Sequence, residues 1–235
     1  RVGDSFSLHK PSAALVISAH WITEGTFVQA SAHPAQIYDF QGYDDVLYKV
    51  KYTPKGNPVL AQRVAHLLSE ADARTTEDWG IDHGVYSILR HIWPDADVPV
   101  VVLSIAIDRP PEYHYLLGKM LRPLRSEGVI VIASGNIVNN YREADFSVSR
   151  INGPEEKEWA REFQNEVALH LRWKDYEMLL HPQDFGEIGK MSVPSEEHYY
   201  PMHYINGIAE TDDGLEILYT GIHHGTIGML SWRIG

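Results

Sequence analysis

Ala13 to Ser18 reads AALVIS, an apolar run entered after Pro11 and leaving into Ala19-His20-Trp21. Val98 to Ile107 (VPVVVLSIAI) and Val129 to Ala133 (VIVIA) repeat the type, each rich in β-branched residues. Uninterrupted runs of this kind suit strands buried on both faces, whereas a half-exposed strand alternates. Helical patterns lie between them. Asn57-Pro58 reads as an N-cap and first helical residue, with Leu60, Val64, Leu67 and Leu68 on one face. Leu116, Met120 and Leu124 mark a second helix from about Pro111 to Glu127, kinked or shortened by Pro123 and stopped by Gly128. Trp159, Phe163, Val167 and Leu171 form the apolar stripe of a third, whose acidic opposite face (Glu155, Glu156, Glu158, Glu162, Glu166, with Arg161) is a solvated one. Gly225 to Ile234 (GTIGMLSWRI) has the look of a closing strand. The expectation is a single α/β domain over residues 1–235, with a mixed central sheet and helices on both faces. Ligands in such folds gather at the carboxyl ends of the strands, so the residues following each run are the ones to examine.

Composition narrows the chemistry. The chain has 235 residues, no cysteine and 13 histidines, so a metal here would be held by histidine, carboxylate or carbonyl, never by thiolate. Its formal charge of −12, without a local basic cluster, disfavours nucleic acid and anionic membranes as partners. No apolar run approaches the ~20 residues of a membrane span, and Arg1 to Lys10 lacks the apolar centre of a secretory signal. A soluble, cytoplasmic protein is expected.

Four polar segments stand out. Ser18-Ala19-His20-Trp21 follows the first strand and can project an imidazole into a crevice, although a core histidine bonded to backbone fits the position as well. Trp79-Gly80-Ile81-Asp82-His83-Gly84 sets His83 beside an acid able to orient it, in a pattern that also suits a turn and helix start. Ser134-Gly135-Asn136-Ile137-Val138-Asn139-Asn140 follows the Val129 strand, with Gly135 permitting a tight turn. Ser195-Glu196-Glu197-His198-Tyr199-Tyr200-Pro201 puts acids ahead of a proline-initiated helix, where N-terminal capping explains the glutamates but not His198.

With Ile37-Tyr38-Asp39-Phe40-Gln41-Gly42-Tyr43, Tyr86, Pro94 to Pro99 (PDADVP) and Gly225 to Ser231 (GTIGMLS), these segments resemble, in order and along nearly the whole chain, the class III extradiol ring-cleavage dioxygenases. The likeness is strongest to the 4,5-DOPA-extradiol-dioxygenase-like, LigB-like branch. The resemblance implies a mononuclear non-haem Fe(II) site, with Zn(II) an alternative occupant, acting with O2 on a small catechol-type aromatic. By the same carry-over, His20 and His198 are metal ligands. His83 is a catalytic residue on the substrate side, with Asp82 fixing its tautomer. His114 falls at a histidine-bearing position, but its helical pattern gives packing more weight. His203 packs or hydrogen-bonds, and His223 and His224 are loop histidines.

Two departures bear on activity. The family's His-Gly-Ser-Pro motif near the N-terminus, whose histidine is another metal ligand, does not occur here; the expectation is that it precedes Arg1. In the Gly-Asn-x-x-His-Asn turn, Asn139 stands where the family has histidine, and an amide cannot accept and return a proton near pH 7. Two alternatives therefore stay open: an impaired relative that binds metal or an aromatic ligand, and a zinc hydrolase with Glu197 as its base.

Overall fold

The structure, a computed structural model, describes residues 10–42, 44–147 and 155–235; Tyr43 and the start of the chain through residue 9, both read above, lie outside them. In chain order the strands are β1 (Ala13–Thr23), β2 (Phe27–Gln29), β3 (Arg74–Thr76), β4 (Val100–Ala106), β5 (Val129–Ser134), β6 (Leu215–Tyr219), β7 (Ile222–His223), β8 (Ile227–Gly228) and β9 (Ser231–Ile234). The helices are α1 (Pro58–Leu67), α2 (His83–Ile92), α3 (Pro111–Leu121), α4 (Glu158–Trp173), α5 (Glu187–Ser192) and α6 (Pro201–Ile208).

The central sheet has the order β3-β2-β4-β1-β5. β1 runs parallel to both β4 and β5, while the short β2 meets β4 antiparallel, so the sheet is mixed. Why the apolar runs are continuous is visible in the packing. Ala13, Leu15 and Ile17 of β1, with Val101, Leu103 and Ile105 of β4, face Leu60 and Val64 of α1, Leu117 and Leu121 of α3 and Tyr204 of α6. The alternate residues, Ala14, Val16, Val100 and Val102, face Ile81 and the Val85 and Leu89 stripe of α2. Each strand thus feeds two cores, and where buried both faces are almost wholly apolar, Ser18 and Ser104 excepted. A third cluster joins Phe163, Val167 and Leu171 of α4 to Ile137, Val138, Tyr199 and Met202, and so anchors the two loops that follow β5 and α5.

Two features differ from the sequence expectation, the end of β1 and the partner of the C-terminal strand, whereas the Pro111–Glu127 helix is shortened at Pro123 and stopped at Gly128 as expected. β1 does not stop at Ser18: it continues to Thr23, and its register with β4 shifts between Ile17 and Ile22. His20 therefore sits within the irregular part of the strand, where a bulge re-aims side chains. The Pro111–Glu127 helix divides into α3 and a 3-10 stretch, Arg122–Glu127, because Pro123 has no N–H to continue the α-helical ladder; Gly128, at φ +74°, ends it. The C-terminal stretch does not close the central sheet: β9 pairs with β6 and β8 with β7, in two small antiparallel ribbons. No helix among the described residues is long and apolar enough to cross a membrane.

Candidate metal and substrate site

Three imidazoles converge beyond the carboxyl end of β5. The His20 ring lies 3.9 Å from that of His83, centroid to centroid, and 5.2 Å edge-to-face from that of His198. Each comes from a different element: the irregular part of β1, the first residue of α2, and the loop before α6. Close backbone approaches permit this. A Cβ on Gly84 would stand 2.7 Å from His20 Cδ2, and one on Gly135 would stand 2.2 Å from the His198 carbonyl oxygen. Gly135 is thus needed for proximity rather than for the left-handed turn its loop position suggests. The Asn136 N–H donates to that same His198 carbonyl at 2.8 Å, tying the loop after β5 to the loop before α6.

A carboxylate that sequence reasoning left without a role completes the group. Asp39 Oδ2 lies 2.9 Å from His83 Nδ1 and 3.3 Å from His20 Nδ1, while its Oδ1 accepts the His83 backbone N–H at 2.9 Å. The Nδ1 contact to His83 is close but off the hydrogen-bond line. The ligand atoms of His20, Asp39 and His83 all fall within 4.8 Å of one another, and the three side chains keep 16–31% exposure. The signal available beforehand was only an acid inside an aromatic, glycine-bearing segment, Tyr38-Asp39-Phe40-Gln41-Gly42.

The electrostatics favour neutral rings. Burial, then the neighbouring His83 and His198, lower the His20 pKa to about 4, against the pull of Asp39. Burial lowers His198 as well, opposed by Glu197. Burial would raise Asp39, but its contacts with the His83 ring and backbone outweigh that and hold the carboxyl below its ordinary value. Two neutral imidazoles, a carboxylate and no sulfur form a donor set suited to a borderline divalent ion. An imidazole nitrogen about 2.1 Å from such an ion puts the ring centroid roughly 3.2 Å away, so two rings on one ion stand about 4.5–5.2 Å apart. The His20–His198 spacing meets that range; the His20–His83 spacing is tighter. Asp39 lies at the Nδ1 of His20, which leaves Nε2 as the free donor, the usual arrangement of a ligating histidine and its carboxylate partner.

Residues 3–234 match the family described as the catalytic LigB subunit of aromatic ring-opening dioxygenase. The chain belongs to the LigB family. Among relatives, the 4,5-DOPA dioxygenase extradiol of Escherichia coli K12 is 37% identical over 97% of this chain and 84% of its own. The Beta vulgaris protein of the same name is 32% identical over 95% and 83%. A crystal structure of an uncharacterized protein from Escherichia coli K12 superposes with a TM-score of 0.84 at 34% identity, covering all of this chain and 91% of that one. The LigB-family chain is therefore an oxidoreductase of the extradiol dioxygenase type.

The remaining residues singled out in the sequence fall as follows. Asp82 is not the acid beside the His83 ring. It is the N-cap of α2, and capping geometry turns its carboxylate back onto the Val85 N–H (3.1 Å), with Ser18 Oγ and Trp79 Nε1 as its other donors. His114 does not face the site: fully buried, it bonds Tyr204 Oη at 3.0 Å and stacks on Tyr200. Asn139 is buried after β5; its backbone N–H donates to the Ser192 carbonyl, and its Oδ1 has no partner among the described residues. Glu196 accepts from Tyr200 Oη and Gln183, and Glu197 from Ser195. His203 is fully buried in α6, His223 ends β7, and His224 occupies the following turn at φ +53°. A cavity of about 1090 Å3, mostly apolar, runs along the outer edge of β5 and reaches His198 and Asn136.

Proposed function

We propose that this LigB-family chain holds Fe(II), with Zn(II) able to take its place, on His20 and His198, and opens the ring of a catechol-type aromatic beside its two hydroxyls with O2. The observation that carries the reading is the edge-to-face pair of neutral imidazoles at ligand spacing, His20 backed at Nδ1 by Asp39. The bound ion would let the diol and O2 exchange electrons through it.

The chain's own groups do the rest. His20 and His198 stay unprotonated at neutral pH, so no proton has to leave before they donate. The ionised Asp39 sits at His83 Nδ1 and leaves Nε2 facing away from the carboxylate, available to take a proton from a catechol hydroxyl and return it to the opening ring. Phe40, edge-on to His83 at 5.4 Å and packed against Tyr48, adds an apolar wall that a flat ring can lie along and that keeps water from the proton in transit. Metal analysis of anaerobically purified protein, with O2 uptake measured on a panel of catechols, tests the reading: iron uptake and a ring-opened product support it, and their joint absence rejects it.

A second reading, binding without turnover, is favoured by Asn139. Its amide can hydrogen-bond a substrate but cannot relay a proton.

A further inference from the structure

Asp82 is a completely buried carboxylate, and neutral caps such as Ser, Thr or Asn would serve a helix N-terminus as well. Burying a charge is costly unless donors surround it, so its use here calls for a task that a cap does not perform. Both of its oxygens are engaged. Oδ1 accepts from the Val85 N–H and from Ser18 Oγ (2.9 Å), and Oδ2 accepts from Trp79 Nε1 at 3.1 Å. These donors belong to three segments.

Two of them grip β1 on either side of His20. Ser18, itself buried, donates to Asp82 and also accepts the His20 backbone N–H at 3.3 Å. Trp79 stacks face-to-face on Trp21, at 5.5 Å and 3° between planes. The third donor, Val85, lies in the first turn of α2, whose first residue is His83. β5 joins the same knot: Ser134, in register with Ser18, donates to the Gly84 carbonyl at 2.8 Å. The strand irregularity that carries His20 and the helix start that carries His83 are therefore held to each other through one carboxylate.

We propose that Asp82 is the positioning residue that sets the spacing of the His20 and His83 rings, clamping the irregular segment of β1 to the N-terminus of α2. Its hydrogen bonds go to Ser18, Trp79 and Val85 and to neither ring. Its consequence for metal uptake rests on the function proposed above; the clamp itself does not.

Asp82→Asn keeps the shape but offers one acceptor oxygen. If that oxygen keeps Val85 and Ser18, the new amide N–H2 faces the Trp79 N–H, donor against donor, and the Trp79–Trp21 stack must shift. Ser18→Ala removes the tie from Asp82 to β1 together with the acceptor of the His20 N–H, and leaves the cap and the Trp79 bond in place. The ring spacing is read directly in the metal-free protein, from nuclear Overhauser contacts between the His20 and His83 ring protons, beside the melting temperature. Val64→Ala, a core truncation in α1, serves as a control that destabilises without touching the knot.

The expected result is a severalfold weaker ring-to-ring contact in Asp82→Asn and Ser18→Ala, and an unchanged one in Val64→Ala, even where its melting temperature falls as far. Unchanged contacts in both knot variants overturn the proposal. Should Asp82→Asn not fold, Ser18→Ala carries the test with the same two outcomes. Titration with Co(II), followed by its visible spectrum, separates the two readings: about 10–100-fold weaker uptake in the knot variants is the size expected when an outer partner of a ligand is lost. Weaker ring contacts in a protein that takes up no Co(II) even as wild type would keep the clamp and reject the metal site.

Discussion

His20 and His83 bring their rings to 3.9 Å although one lies on β1 and the other opens a helix, and Asp39 faces the Nδ1 of both. In the reading proposed above, the pair divides into a ligand, His20, and a proton carrier, His83, sharing one carboxylate.

Replacing His83 should therefore affect turnover and spare the metal. His83→Ala is expected to slow ring cleavage by about 10²–10⁴-fold, the span of a positioned acid/base, with metal content unchanged. Steady-state rates beside metal analysis check it; loss of metal in this variant would make His83 a ligand.

Asp39→Asn leaves a group of the same size that no longer carries charge. Because Asp39 lies against both rings, the variant should lower turnover and weaken metal uptake by about 10–100-fold each, seen in kcat and in a metal titration.

Gly84→Ala should displace His20, since the added Cβ would stand 2.7 Å from Cδ2, closer than side chains pack. Overpacking of this kind costs about 1–3 kcal/mol, so the variant should melt earlier and take up metal more weakly. Calorimetry and metal titration read the two effects separately.

Acid should destabilise the protein through its buried histidines, two of which lie outside the site. Burial lowers His203 to about 3 and His114 to about 4, from 6.5 in the unfolded chain. Below pH 6.5 the unfolded state binds protons that these rings refuse, so stability is fully present above that value and falls as pH drops toward the folded values, by at most about 1.4 kcal/mol per pH unit for each ring. Melting curves from pH 7 to 4 should show the fall, and His203→Phe should flatten it.

How much of this was readable in the residues varies by element. The AALVIS and Val98 runs locate β1 and β4 because burial on both faces leaves them almost wholly apolar, Ser18 and Ser104 excepted; the Val129 run locates β5 as well, although that edge strand is only half-buried; and Asn57 caps α1 through the bond to the Leu60 N–H that its type predicts. The end of β1 was not readable, since a register shift against a neighbouring strand has no local signature. Likewise GTIGMLSWRI has strand character, but character does not name the partner, and β9 chooses β6. The histidines His20 and His198 could be picked out; the acid between His20 and His83 could not. Asp82 adjoins His83 in sequence, yet a helix cap points its side chain into the first turn, whereas Asp39 reaches the rings only through the path of a loop.

Asn139 is the residue on which the two proposed readings part. Asn139→His restores an imidazole at the family position, and the ring-cleavage rate of the iron-loaded protein should rise by about 10²–10⁴-fold. Equal, substantial rates in both forms would mean that His83 does the proton work unaided.

The most direct test is O2 consumption against ring-opened product for the Fe(II)-loaded protein with a catechol, compared with His20→Ala prepared identically. The account predicts one O2 consumed per ring opened in the wild type, however slowly, and neither bound iron nor product in His20→Ala. Ring opening that persists in His20→Ala, or iron-loaded wild type that consumes O2 without opening the ring, would contradict it.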